Sequence, residues 1–206
     1  MAIKKIGLLG GSFDPVHLGH TRLAETAREA LALDELQLLP AANPWQRPEL
    51  AASAQHRLAM LEIAIAKKPR LAINPMEIER GGKTYTIDTL EQLPGNARYY
   101  WITGADQIAN FCSWHRWEEI AARVRLVVAQ RPGSSAQAPA PLQEALAREN
   151  TPLISLPFEA TAISATDIRR RLAQDLPVDG LLDDAVAQYI RRHGLYKPAA
   201  SQPIKV

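Results

Sequence analysis

Short apolar runs of strand length alternate with segments of helical periodicity along nearly the whole chain. This alternation constrains the fold most, because strands joined by helical crossovers pair in parallel and need cover on both faces. Ile3 to Leu9 reads as a short buried strand ending in Gly10-Gly11. Leu18 to Leu33 reads as a helix with Leu23, Ala27, Ala30 and Leu31 on its apolar face. Glu35 to Leu39 is a second strand, stopped by Pro40. Pro44 and Pro48 make Ala41 to Ala52 a loop, and Ser53 is placed to cap a helix from Ala54 to Lys67, with Leu58, Leu61 and Ile65 on one side. Arg70 to Ile78 predicts a strand, at an edge or broken by Pro75. Gly81-Gly82 is a turn, and Thr86 to Leu93 a short helix. Tyr99 to Thr103, Leu126 to Gln130 and Pro152 to Leu156 read as strands, and Pro132 to Pro141 as a surface loop. Ser164 to Ala173 and Asp183 to His193 close the chain as helices, with Gly194 ending the second. In such a sheet, ligands bind beyond the carboxyl ends of the strands.

Composition narrows the partners. Of 206 residues, 47% are apolar, enough for a core. The formal net charge is only +2, which argues against a nucleic-acid partner held by a broad basic surface. A single cysteine, Cys112, permits no intrachain disulfide, so a cytoplasmic location is expected. The apolar stretch near the start is too short for a signal peptide, and no run of about 18 apolar residues predicts a membrane span.

The loop after the first strand holds the densest chemistry: Gly10-Gly11-Ser12-Phe13-Asp14-Pro15-Val16-His17-Leu18-Gly19-His20. Paired glycines let backbone turn tightly and approach a ligand closely. A helix start presents N–H groups to an anion, and His17 and His20, three residues apart, can both face phosphate oxygens. A purely structural turn and a fragment of a metal site are the other readings, although no third or fourth ligand stands nearby in sequence. Neither the P-loop nor the dinucleotide-binding glycine pattern can be placed on these residues.

This segment resembles the signature of the nucleotidyltransferase superfamily with the HxGH motif, here His17-Leu18-Gly19-His20. The resemblance implies nucleotidyl transfer from a nucleoside triphosphate, with His17 and His20 as catalytic residues and Gly10, Gly11 and Ser12 holding phosphates. By spacing alone, Ile163-Ser164-Ala165-Thr166-Asp167-Ile168-Arg169 is a helix capped by Ser164, with Asp167 completing a near capping box. Beside the HxGH motif it resembles the second superfamily signature, which implies triphosphate contacts for Ser164, Thr166 and Arg169; Arg170 and Arg171 are read as solvated.

The middle of the chain is similar to bacterial nicotinate-mononucleotide adenylyltransferases. The likeness runs through Thr84-Tyr85-Thr86-Ile87-Asp88-Thr89-Leu90, the strand ending in Gly104-Ala105-Asp106, Trp114 within Phe111 to Trp117, and Arg131-Pro132-Gly133. It implies that ATP adenylylates nicotinic acid mononucleotide. A flat, electron-poor pyridine ring suits an aromatic platform, for which Trp114 is chosen over Trp117, with two core residues as the plain alternative. Backbone N–H groups of Tyr85 and Thr86 are expected to take the carboxylate, Asp106 the ribose, and Arg47 and Arg131 the phosphate in a two-pronged grip. Pro44-Trp45-Gln46-Arg47 departs from relatives that carry Pro-His-Lys or Pro-His-Arg.

The expected architecture is α/β: a single Rossmann-like doubly wound domain over residues 1–197, with a mainly parallel sheet and C-terminal helices, followed by a flexible tail over 198–206. Mg²⁺ is expected on the substrate, without a metal site on the protein. A homo-oligomer is compatible with the sequence. Preference for nicotinamide mononucleotide and a non-catalytic nucleotide sensor are the alternative functions.

Overall fold

The computed structural model describes residues 3–44, 50–130, 137–159 and 163–197. In chain order it contains β1 (Lys4–Gly11), α1 (Leu18–Ala30), β2 (Glu35–Pro40), β3 (Asn43–Pro44), α2 (Ala54–Ile65), β4 (Leu71–Ile73), α3 (Met76–Arg80), β5 (Lys83–Thr84) and α4 (Thr86–Gln92). There follow β6 (Ala97–Gly104), α5 (Ala105–Ala109), a 3-10 turn (Phe111–Ser113), α6 (Trp117–Arg123), β7 (Arg125–Gln130), α7 (Ala140–Arg148), β8 (Ile154–Pro157), α8 (Ala165–Ala173) and α9 (Asp184–Arg192).

Six strands form one parallel sheet in the order β4-β2-β1-β6-β7-β8. The chain winds outward from β1 through β2 to β4, then returns to the other side of β1 at β6. Loops leaving the ends of β1 and β6 therefore diverge, which opens a crevice at that point. β3 and β5 form a separate parallel pair, with Asn43 opposite Lys83. It ties the segment after β2 to the Thr84-Tyr85-Thr86 turn.

Alternation along each strand feeds two cores. Leu8, Tyr99, Trp101, Leu126 and Val128 face α4 to α7, meeting Ile87, Ile108, Ile120 and Leu142. Leu9, Tyr100, Ile102 and Val127 face the opposite layer, where α1, α2, α8 and α9 contribute Ala24, Met60, Ile168 and Val186. Each fully buried leucine or isoleucine contributes about 1.5–3 kcal/mol. No helix among the described residues is long and apolar enough to cross a membrane.

Several expected elements differ. The strand expected over Arg70 to Ile78 ends at Ile73. Pro75 supplies no N–H and stands at the N-cap of α3, with Glu77 and Glu79 near the positive end of the helix dipole. β4 is an edge strand. The loop expected from Pro132 to Pro141 gives way to α7 at Ala140, with Pro141 in its first turn, where a missing N–H costs little. α5 and α6 were not expected. The apolar face of α1 is Thr21, Ala24 and Ala27, with Leu23 half-buried and Ala30 exposed. On α2 the buried residues are Arg57, Met60, Leu61 and Ala64, so a guanidinium occupies a face that the sequence assigned to leucines.

Candidate active site

Gly10 and Gly11 lie inside β1, so their role is close approach and not a turn. A Cβ on Gly10 would sit 3.1 Å from the Trp101 ring, and one on Gly11 3.2 Å from the Phe13 ring. The chain turns at Phe13, held at φ 48° with its side chain fully buried. A left-handed non-glycine residue costs roughly 1–2 kcal/mol, offset here by core burial.

Asp14 closes this loop. Its carboxylate is buried and accepts from Ala51 N–H (2.7 Å), Ala52 N–H (3.1 Å) and the Tyr196 hydroxyl (2.7 Å). The Asp14 carbonyl accepts from Arg169 Nη1 at 2.6 Å. Arg57, also buried, donates to the Ser12 carbonyl at 2.8 Å. Burial pulls the Arg57 pKa down, opposed by the nearby Asp14 and Tyr196. Burial, then the bond to Asp14, pushes the Tyr196 phenol well up. Sequence reasoning missed Asp14, Arg57 and Tyr196. Only Asp14, inside the quoted motif, carried any signal, because its partners lie 37 to 182 residues away.

His17 is the N-cap residue of α1, and its N–H donates to His20 Nδ1 at 3.2 Å. That bond leaves His20 Nε2 to carry the ring proton in the neutral form. The two imidazoles stack with centroids 3.6 Å apart, and Phe13 packs edge-on to His20 at 4.9 Å. Burial lowers the His17 pKa to about 4, so its ring is neutral at pH 7. His17 Nδ1 is buried without a partner among the described residues, a polar atom poised for a ligand. Not every N–H at the start of α1 is open, since Leu18 N–H donates to the Leu181 carbonyl.

At α8, Ser164 Oγ accepts from Asp167 N–H at 3.1 Å. The reciprocal half of a capping box is replaced: the Asp167 carboxylate binds Arg170 and Arg171, which are therefore ion-paired and not merely solvated. Thr166 Oγ1 accepts from Arg169 Nη2 at 3.3 Å. Arg169 thus joins the start of α8 to the back of the histidine loop, 155 residues earlier in the chain.

A cavity of about 340 Å³ opens in the crevice between β1 and β6. Gly10, Gly11, Ser12, Tyr85, Thr86, Asp106 and Trp114 all line it. His17, His20, Ser164, Thr166 and Arg169 do not; Arg169 is tied to the Asp14 carbonyl, in the loop that leads to the histidines. Trp114 stands edge-on to Trp101 (6.2 Å, 86°) and packs on Phe111, while Trp117 opens α6 and is not on the cavity wall. The Tyr85 ring lies 4.9 Å from His115. Thr84 Oγ1 accepts from Ala42 and Asn43 N–H, fixing the neighbouring turn. Asp106 is exposed on α5, and a Cβ on Gly104 would lie 2.7 Å from its Oδ1, so a side chain there would push the carboxylate aside. Trp101 and Glu77 also line the cavity and were not anticipated there. Arg47, Trp45 and Arg131 lie outside the described residues.

Residues 8–171 match the protein-family model described as Cytidylyltransferase-like. The chain is 59% identical to a Bordetella parapertussis protein named "Probable nicotinate-nucleotide adenylyltransferase", over 96% of this chain and 100% of that one. It is 40% identical to the Pseudomonas putida protein of the same name, over 95% and 96% of the two chains. In structure it is similar to Plasmodium falciparum nicotinic acid mononucleotide adenylyltransferase complexed with NaAD, with a TM-score of 0.74, 20% identity and coverage of 94% and 97%.

Proposed function

Because the chain belongs to the family of nicotinate-nucleotide adenylyltransferases, we propose that it transfers the adenylyl group of ATP to nicotinic acid mononucleotide. The products are nicotinic acid adenine dinucleotide and pyrophosphate. One observation carries the reading: at the sheet's switch point an aromatic-walled cavity for a flat ring is lined by Gly10, Gly11 and Ser12, the start of the loop that leads to the stacked histidine pair.

In this reading the mononucleotide phosphate attacks the α-phosphorus of ATP in line, and the pyrophosphate oxygen leaves. The nucleophile is already an anion, so no strong base is needed. Positioning and charge neutralisation supply the acceleration. His20 Nε2–H and His17 Nδ1, once protonated, donate to the transferring phosphate, and an arriving triphosphate favours that protonation. Ser12, the start of α8 and Arg169 hold the triphosphate. Trp114 stacks on the pyridine ring, the Tyr85 and Thr86 N–H groups take its carboxylate, and Asp106 takes the ribose hydroxyls. Arg47 and Arg131 are assigned to the mononucleotide phosphate.

Among the described residues no three His, Cys, Asp or Glu side chains converge as a metal site. Mg²⁺ is proposed to be carried by triphosphate oxygens and water, where it would neutralise charge on the leaving group. We assign the reaction to the cytoplasm.

The test is pyrophosphate release with ATP and Mg²⁺, run in parallel with nicotinic acid mononucleotide and nicotinamide mononucleotide. Faster release with the acid is expected. Faster release with the amide would overturn the Tyr85–Thr86 carboxylate site, and no release with either would overturn the reaction.

A further inference from the structure

The wall of the cavity carries a carboxylate, Glu77, to which the transfer reaction assigns no part. Among the described residues lining it there is no lysine or arginine. There are two carboxylates, Glu77 and Asp106, and the rings of Tyr85, Trp101 and Trp114. Asp106 is exposed, whereas Glu77 is only 3% exposed. A buried carboxylate is costly and is kept where something compensates it. Here Thr89, fully buried on α4, donates to Glu77 Oε1 at 2.7 Å and in turn accepts from Arg80 Nη2 at 3.2 Å. One hydroxyl does not exhaust the acceptor capacity of a carboxylate, and Arg80 does not line the cavity.

A carboxylate and aromatic rings lining one cavity suit a flat cation, which is attracted both by the carboxylate and by the ring faces. The pyridine of a mononucleotide is bonded through nitrogen to ribose, so its ring carries a positive charge. The 1,4-dihydropyridine form has the same substituent, ribose and phosphate, but a neutral ring. We infer that Glu77 reads the positive charge of the pyridinium ring, so that the site selects oxidised pyridine mononucleotides over their reduced, neutral forms. The inference rests on the mononucleotide reading above and adds a specificity-determining residue to it. Burial raises the Glu77 pKa, while Thr89 and Arg80 act to lower it. A ring cation in the cavity acts in the same direction as these two and favours the ionised acid.

Isothermal titration calorimetry on the full chain, with nicotinic acid mononucleotide and its 1,4-dihydro form, decides the matter without catalysis. Binding of the oxidised form about tenfold tighter or more is expected. The isosteric Glu77→Gln variant should narrow that ratio at least about threefold, by weakening the oxidised form, with the Kd for ATP unchanged. Equal affinities in the unsubstituted chain, or an unchanged ratio in the folded variant, would overturn the inference. Pyrophosphate release, measured separately, reports on the adenylyl-transfer reading, so failure of one is distinguishable from failure of the other.

Discussion

The two halves of the crevice are built differently. Around the histidines, polar groups are closed upon one another: Asp14 takes three donors, and Arg57 and Arg169 bind loop carbonyls. The helices there, α1 and α8, run 13 and 9 residues. Around the ring cavity, α3, α4 and α5 run five to seven residues, and Trp114 packs on Phe111 and edge-on to Trp101. The first region is preorganised to hold charge at a fixed centre. The second is an open receptacle whose shape comes from ring packing. Substitutions in the first should therefore affect stability and turnover, and those in the second chiefly affinity for one substrate.

The largest expected effect is on the Asp14 hub. Asp14→Ala leaves Arg57, two N–H groups and the Tyr196 hydroxyl without their acceptor or counter-charge. It should cost about 3–5 kcal/mol in a urea-unfolding measurement. A loss under about 1 kcal/mol would mean that the histidine loop is not held from behind. Next, His20→Ala should lower kcat about 10²–10³-fold in a protein that still folds, as for removal of one preorganised donor. Near-normal turnover would erase the contrast.

The His17 prediction concerns pH. Its ordinary pKa is 6.5 and its folded value about 4. Below pH 6.5 the unfolded chain takes up a proton that the folded chain refuses. Stability is thus complete above pH 6.5 and falls as pH drops toward 4, by about 3 kcal/mol from this residue. Denaturant midpoints at pH 7.5 and 4.5 should diverge less in His17→Gln than in the unsubstituted chain. The same divergence in both would place the buried imidazole in water. The smallest effect is Ser164→Ala, which removes the cap of α8 and should cost about 1 kcal/mol. A much larger loss would show that α8 belongs to the rigid hub itself.

What the sequence conveyed follows the same division. The alternation of strands and helices, and the side-chain caps Ser53 and Ser164, are local signals, and the structure contains them. Adjacent residues such as His17 and His20 were equally readable. The network around Asp14 was not, because Arg57, Arg169 and Tyr196 meet it only through the fold. α5 and α6 escaped for another reason: a single turn or two has little intrinsic stability and forms on packing, as Ile108 and Ile120 do against the sheet. Glu77 escaped because Pro75 and flanking apolar residues imitate a strand. As a strand residue it would alternate sides; on α3 it is buried and among the residues that line the cavity.

The division of labour is tested most directly by initial rates of pyrophosphate release over a grid of ATP and nicotinic acid mononucleotide concentrations for Trp114→Ala. A KM for the mononucleotide raised about tenfold or more by loss of ring stacking is expected, with kcat and the KM for ATP little changed. A fall in kcat, or an equal rise in both KM values, would contradict it, because the ring cavity would then be part of the same rigid centre as the histidines.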